Sequence, residues 1–491
     1  MDTANHQPQT ANRLFRVVTF GCKINQCDTA GMSQELARRG WRPSPPGATP
    51  ELYLVNTCTV TGRADQQARQ TIRRLAREHP GVPIWVTGCY AQRAPEELAA
   101  LPGVQGVLGN REKTQLAEII AAFQRPLPHG AATPPSAPSP LRGEGWGGGG
   151  NVTPPPLNPP LTGEEGKSIC SVGAFAEAEP FQPWRAQSFP GHTRAWLKIQ
   201  EGCSHHCSYC IVPKVRGPRR SWPPAEVAAA LNELAAAGYQ EVVLTGIDLG
   251  QYGRDLSPAT SLADLVRRLR TDNLPLRVRL SSLEPQEITG TLLTELASWR
   301  DFCPHFHLPL QSGAAQVLAA MNRPYRPEAF RDLVLDLAGR FPEAALGLDV
   351  LVGFPGETES DFEATRDLVA SLPVTYLHVF PFSPRPGTPA AQLKPVPGRE
   401  VQRRAGLLRE LGRMQKQAFL LSQLNQVREV LVEGPAPPPG WLQGLSDNYL
   451  RVIFPGPAAW RNRRLLVRFL KLQEEMLVGE IVADRAITSL P

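Results

Sequence analysis

From residue 14 onward the chain alternates short apolar runs with longer amphipathic ones. "LFRVVTF" (14–20), "ELYLVNT" (51–57) and "PIWVTG" (83–88) are apolar enough to be buried strands. Each precedes a helical period, clearest in "ADQQARQTIRRLAREH" (64–79). Such alternation predicts a parallel sheet covered by helices, here an N-terminal α/β domain over 14–124. The pattern then stops. Residues 125–190 are rich in Pro and Gly, as in "HGAATPPSAPSPLRGEGWGGGG", and lack any hydrophobic period. They bury too little surface to repay the entropy of ordering and read as a disordered linker or insert. Alternation returns over 191–421, with candidate strands in "RAWLKIQ", "EVVLTGI", "RVRLSSL", "HFHLPL", "ALGLDVLVGF" and "YLHVFPFS". Six βα units predict a partial (β/α)6 barrel, which a long helix near 397–421 closes. Over 424–488 short strands separated by Gly, Pro and Asx turns predict a small antiparallel β-barrel. The fold class expected is therefore α/β with a C-terminal β-barrel.

At 491 residues the chain is long enough for two to four domains. Its N-terminal stretch "MDTANHQPQTANR" lacks the apolar centre of a secretory signal, and nowhere do about 18 apolar residues run together. A cytoplasmic protein is expected. In that reducing compartment nine cysteines point to metal or redox chemistry and not to disulfides. The net charge of +6 suits an anionic partner without specifying one.

Two cysteine trios stand out. Cys22, Cys58 and Cys89 each directly follow a predicted parallel strand. Carboxyl ends of such strands share one edge, so three cysteines more than thirty residues apart can meet there. The alternative is three small buried hydrophobes. Cys27 falls inside the following helix and reads as structural, and Cys170, in the Pro/Gly-rich run, as a bystander. The second trio, Cys203, Cys207 and Cys210 in "EGCSHHCSYC", follows the first barrel strand with spacing C-x3-C-x2-C. Thiolates select zinc or iron–sulfur clusters, and a zinc module would carry a second ligand pair downstream, which is missing. His205 and His206 read as solvent-facing loop residues that shape the site. Three thiolates around a four-iron cluster leave one iron open to a small chelating ligand.

The motif "EGCSHHCSYCIVPKVRG" resembles the cluster loop of radical S-adenosylmethionine enzymes. From residue 14 to about 488 the chain resembles the methylthiotransferase family among them. "TFGCKINQCDTAGM", "VNTCTVTGRADQQARQ", "TGCYAQ", "LTGIDLGQYGRDL", "RLSSLEP", "HLPLQSG", "VGFPGETESDF" and "HVFPFSPRPGTPA" carry the resemblance, and the C-terminal barrel is similar to that family's TRAM domain. The family motif often has an aromatic residue at the place of Cys27.

The resemblance implies two [4Fe–4S] clusters. One, on Cys203, Cys207 and Cys210, chelates S-adenosylmethionine and yields a 5′-deoxyadenosyl radical; the other, on Cys22, Cys58 and Cys89, presents sulfur for transfer. It further implies S-adenosylmethionine contacts at Thr245, Gly246, Ser281, Glu284, Gln311 and Asp349, near the C-terminal mouth of the barrel. The implied substrate is threonylcarbamoyladenosine in a tRNA anticodon stem-loop, on the likeness of "GCKINQ", "NTCTVT" and "GCYAQ" to that group. Relatives acting on isopentenyladenosine in tRNA or on a ribosomal-protein aspartate are the alternatives, and a zinc-containing RNA-binding protein is a distant one. Candidate phosphate contacts are Lys214, Arg216, Arg219 and Arg220 after the cluster loop, and Arg461, Arg463, Arg464, Arg468 and Lys471 in "WRNRRLLVRFLK". A flavodoxin- or ferredoxin-like electron donor, no membrane and a monomer complete the expectations.

Overall fold

The computed structural model describes residues 13–123, 168–175, 181 and 183–484. Its first sheet is wholly parallel. β1 (Arg13–Thr19), β2 (Trp41–Pro43), β3 (Leu52–Thr57), β4 (Ile84–Gly88), β5 (Val104–Leu108) and β6 (Ile169–Ser171) are ordered β2-β1-β3-β4-β5-β6. Every residue of β3 and β4 is buried, as central parallel strands require when helices cover both faces. The three strands that precede Cys22, Cys58 and Cys89 are thus adjacent.

Strand β6 corrects the expected linker. Residues 124–167 lie outside the described residues, but Ile169 pairs with Gly106 and closes the sheet edge. A three-residue strand inside a Pro/Gly-rich window carries too few apolar positions to show a period. Cys170 sits on it, exposed.

The central domain holds β7 (Arg194–Lys198), a short ribbon of β8 (Gln200–Glu201) and β9 (Arg220–Ser221), then β10 (Glu241–Thr245), β11 (Arg277–Leu280), β12 (His305–Gln311), β13 (Ala345–Val352) and β14 (Tyr376–Pro381). Two parallel sheets, β11-β10-β7 and β12-β13-β14, meet where Leu283 N–H donates to the His307 carbonyl. Alternation decides which side chains face inward. Phe306, Leu308, Leu346, Leu348 and Val350 pack in one core with Phe330, Val334 and Leu337 of the helix Pro327–Arg340. His305, His307 and Asp349 therefore face the opposite side, the lumen.

The helix Gly398–Ser422 leads to a closed barrel of β15 (Val427–Ala436), β16 (Trp441–Ser446), β17 (Arg451–Pro455), β18 (Arg464–Gln473) and β19 (Met476–Asp484), ordered β15-β16-β17-β19-β18. It is not purely antiparallel: β17 and β19 pair in parallel, which seals it. Two fully buried arginines dock it onto the central domain. Arg277 donates to the carbonyls of Glu429 and Leu445, and Arg279 to those of Asp447 and Ser446, all at 2.8–3.1 Å. Both place Nε on Glu241, so neither charge is left unpaired. No helix among the described residues is long and apolar enough to cross a membrane.

Candidate iron–sulfur and cofactor site

Each strand-end cysteine follows a turn that the sequence builds for it. Gly21 has φ +98°, and a Cβ there would lie 2.8 Å from the Cys58 Cβ. Gly88 also has φ +98°, and its Cβ would lie 2.4 Å from the Thr57 carbonyl oxygen. Only glycine lets three strand ends approach so closely. Asn25 ties them further, donating to the carbonyls of Phe20 (2.7 Å) and Thr57 (3.0 Å). The thiols interact electrostatically, Cys22 with Cys89 and Cys58 with both. The edge-sharing expectation of the sequence is met.

The second trio lies on a loop pinned from several sides. Gly202 enters it at φ +74°, where a Cβ would overlap the Pro218 carbonyl. Ser208 N–H donates to the Met321 carbonyl at 3.0 Å, and Asn322 Nδ2 to that of His206 at 2.9 Å. Arg323 reaches Cys207 Sγ at 3.4 Å and also pairs with Glu284. His205 is not a solvent-facing spacer. Its Nε2 lies 3.2 Å from both Asp248 and Glu287, and the hydrogen bond to Glu287 raises its pKa. Burial and then Glu287 push Asp248 up to about 8.

Burial dominates the thiols as well. It raises Cys58 and Cys210 to about 12, and raises Cys203 and Cys207. Such thiols stay protonated in water-like conditions and release the proton on binding metal. Three thiolates at each site are a donor set that an iron–sulfur cluster takes, with one iron left without a protein ligand.

Arg216 joins the two sites. The helix Val212–Arg216 begins just after Cys210 and ends with this arginine, which is 1% exposed. Its Nε donates to Cys89 Sγ at 3.1 Å, and its Nη1 to Asp28 at 3.0 Å and Glu201 at 3.3 Å. Lys113 and Lys198 pair with the same carboxylates. Three cations against two carboxylates leave positive charge aimed at the strand-end trio, which suits an anionic cluster. Ile211 and Val215 pack on Cys89. Arg216 is therefore no phosphate contact, because burial and its partners remove it from solvent.

The other expected residues divide. Thr245 ends β10, buried, with Gly246 next to it. Ser281 follows β11 and keeps a buried hydroxyl with no hydrogen-bond partner among the described residues. Gln311 ends β12 in the left-handed region at φ +62°, a strained conformation for a side-chain-bearing residue. Glu284 is ion-paired to Arg323. Asp349 does not follow its strand; it sits inside β13, bonded to His307 and His378. Among the basic candidates Arg464 is committed to Asp301 (3.3 Å) and Glu429 (3.6 Å), and Arg468 to Glu480 (3.0 Å). Lys214 donates to the Gly387 carbonyl, Arg219 to Gln251 at 2.9 Å and Arg220 to the Arg216 carbonyl at 3.2 Å. Arg461, Arg463, Arg468 and Lys471 lie at the surface. Sequence reasoning missed Asp248 and Arg323, which touch Cys203 and Cys207, and Glu287, which holds His205 of the same loop; all come from distant segments and carry no spacing signal.

Residues 14–109 match the model of Uncharacterized protein family UPF0004, and residues 197–369 that of the Radical SAM superfamily. A threonylcarbamoyladenosine tRNA methylthiotransferase (MtaB) of Bacillus subtilis is 33% identical, over 94% of this chain and 95% of that protein. A tRNA-2-methylthio-N(6)-dimethylallyladenosine synthase of Moorella thermoacetica is 32% identical, over 96% of this chain and 99% of its own length. Among solved structures, the radical S-adenosylmethionine methyltransferase TsrM of Kitasatospora setae superposes with TM-score 0.53 at 17% identity, covering 78% of this chain and 77% of TsrM. That likeness speaks for the fold alone.

Proposed function

Because the chain belongs to the radical S-adenosylmethionine methylthiotransferase family, we propose that it adds a methylthio group to C2 of N6-threonylcarbamoyladenosine beside a tRNA anticodon. It is a transferase that uses S-adenosylmethionine and [4Fe–4S] clusters. The observation that carries the proposal is the short helix Val212–Arg216, which puts two three-cysteine sites back to back with a buried cation between them.

In this reading Cys203, Cys207 and Cys210 hold the cluster that binds S-adenosylmethionine, and Cys22, Cys58 and Cys89 the cluster that presents sulfur. Bound there, the two groups supply a carbon-centred radical and transferable sulfur, chemistry that no side chain of the protein offers. The chain's own residues hold and shield them. Arg323 donates to the Cys207 sulfur and Arg216 to that of Cys89, so each site has a cation on one of its thiols. Exposed Arg461, Arg463 and Lys471 on the C-terminal barrel supply phosphate contacts that position the anticodon stem-loop. Work on tRNA places the protein in the cytoplasm, served by a one-electron donor of the flavodoxin or ferredoxin kind.

The threonylcarbamoyl substrate is supported by the names of several relatives at 30–33% identity. Relatives named for dimethylallyladenosine reach 28–32%, so that substrate is the second reading. Nucleoside mass spectrometry on tRNA from cells lacking the gene decides. Loss of 2-methylthio-threonylcarbamoyladenosine, restored by the wild-type gene and not by Cys203→Ala, is the expected result. Loss of the methylthio-isopentenyl nucleoside instead would select the second reading.

A further inference from the structure

The barrel lumen holds another group of ligand-type side chains, unused by either cysteine trio. His307 on β12, Asp349 on β13 and His378 on β14 bring three ligand atoms within 4.8 Å of one another. We propose that these three residues bind a divalent metal ion of zinc's class.

The donor set is two imidazoles and one carboxylate, which suits a borderline divalent ion and not a hard or a thiophilic one. Three neighbouring parallel strands supply one ligand each, so the site is rigid in its backbone. His307 Nε2 lies 2.7 Å and His378 Nδ1 3.3 Å from the same oxygen of Asp349. Ligand atoms around a tetrahedral zinc are spaced about 3.3 Å apart, so an ion fits with a small outward shift.

The surroundings are organised as a ligating histidine requires. His307 Nδ1 lies 3.1 Å from the Tyr376 hydroxyl, which in turn lies 2.7 Å from His305 Nε2. A partner on the second ring nitrogen fixes the tautomer that leaves Nε2 free to bind metal. Room for this contact is built into the chain: Tyr376 crosses β13 at Gly347, where a Cβ would lie 2.1 Å from the ring. The histidine at the outer edge, His378, is 53% exposed in its side chain, which gives the ion a way in. Three protein ligands leave a position open toward the lumen, for an oxygen ligand.

The test uses the anaerobic holoenzyme, incubated with Zn2+ and passed over a chelating resin, with zinc and iron then counted by mass spectrometry. Wild-type protein is expected to retain about one zinc per chain beyond its iron. Asp349→Asn and His378→Ala should retain a tenth of that or less, at unchanged iron; His378 lies at an exposed edge, so its removal spares the core. Tyr376→Phe keeps all three ligands and should weaken zinc retention by about 10- to 100-fold. Wild-type protein without zinc, or equal zinc in the variants, would overturn the proposal and reduce the trio to a hydrogen-bonded group. Either result leaves the tRNA reading untouched.

Discussion

Cys203, Cys207 and Cys210 come from one loop of eight residues, whereas Cys22, Cys58 and Cys89 come from the ends of three adjacent strands. The loop trio needs little more than its own segment and a few pins from neighbouring helices. The strand-end trio exists only when the N-terminal sheet is assembled in its order and when Arg216 arrives from the central domain. One site is local and the other is a product of topology. Perturbations far from the cysteines should therefore injure the strand-end site first.

Removing Arg216 should do the most damage. Arg216→Met leaves Asp28 and Glu201 buried with fewer partners, and the cost of breaking a buried pair is about 3–5 kcal/mol. Denaturant titration should show that loss, and iron should fall by about half while cleavage of S-adenosylmethionine persists. Acid comes next. Burial alone would raise the Glu201 carboxyl, but Lys198 and Arg216 outweigh it and bring it to about 2, from an ordinary 4.5. A folded value below the unfolded one stabilises the protein above pH 4.5, and that stability is lost as pH falls toward 2. The loss is of order 3 kcal/mol. Stability followed by tryptophan fluorescence should drop across that window, with a shallower slope in Glu201→Gln.

Gly88→Ala should cost about 1–3 kcal/mol, since its backbone is left-handed and its Cβ would meet Thr57. Iron analysis should show the deficit at the strand-end site alone. The smallest effect belongs to the surface. Neutralising Arg461 and Lys471 together should reduce the slope of log affinity for tRNA against log salt by about 1.5–2 and leave both iron sites intact. An unchanged slope would remove these residues from the RNA interface.

The contrast between the sites also explains what the sequence disclosed. The grouping of the cysteines was legible, one trio from its spacing and the other from its place after adjacent buried strands. The strands themselves were legible because both faces of a parallel sheet are apolar. Arg216 was misread as a phosphate contact because a basic run after a loop carries no mark of burial; its carboxylate partners lie 15 and 188 residues away. Arg464 failed for the same reason, its partner Asp301 being 163 residues distant. His307, Asp349 and His378 were invisible as a group, since register between strands brings them together and no linear pattern records register.

The central claim is that the two trios divide the reaction, the loop site generating the radical and the strand-end site supplying sulfur. Anaerobic turnover with tRNA, comparing Cys203→Ala with Cys58→Ala and quantifying 5′-deoxyadenosine and methylthiolated nucleoside, tests it directly. The account predicts that Cys203→Ala forms neither product, while Cys58→Ala still forms 5′-deoxyadenosine and no methylthiolated nucleoside. Loss of 5′-deoxyadenosine in both variants, or methylthiolation surviving in Cys58→Ala, would contradict it.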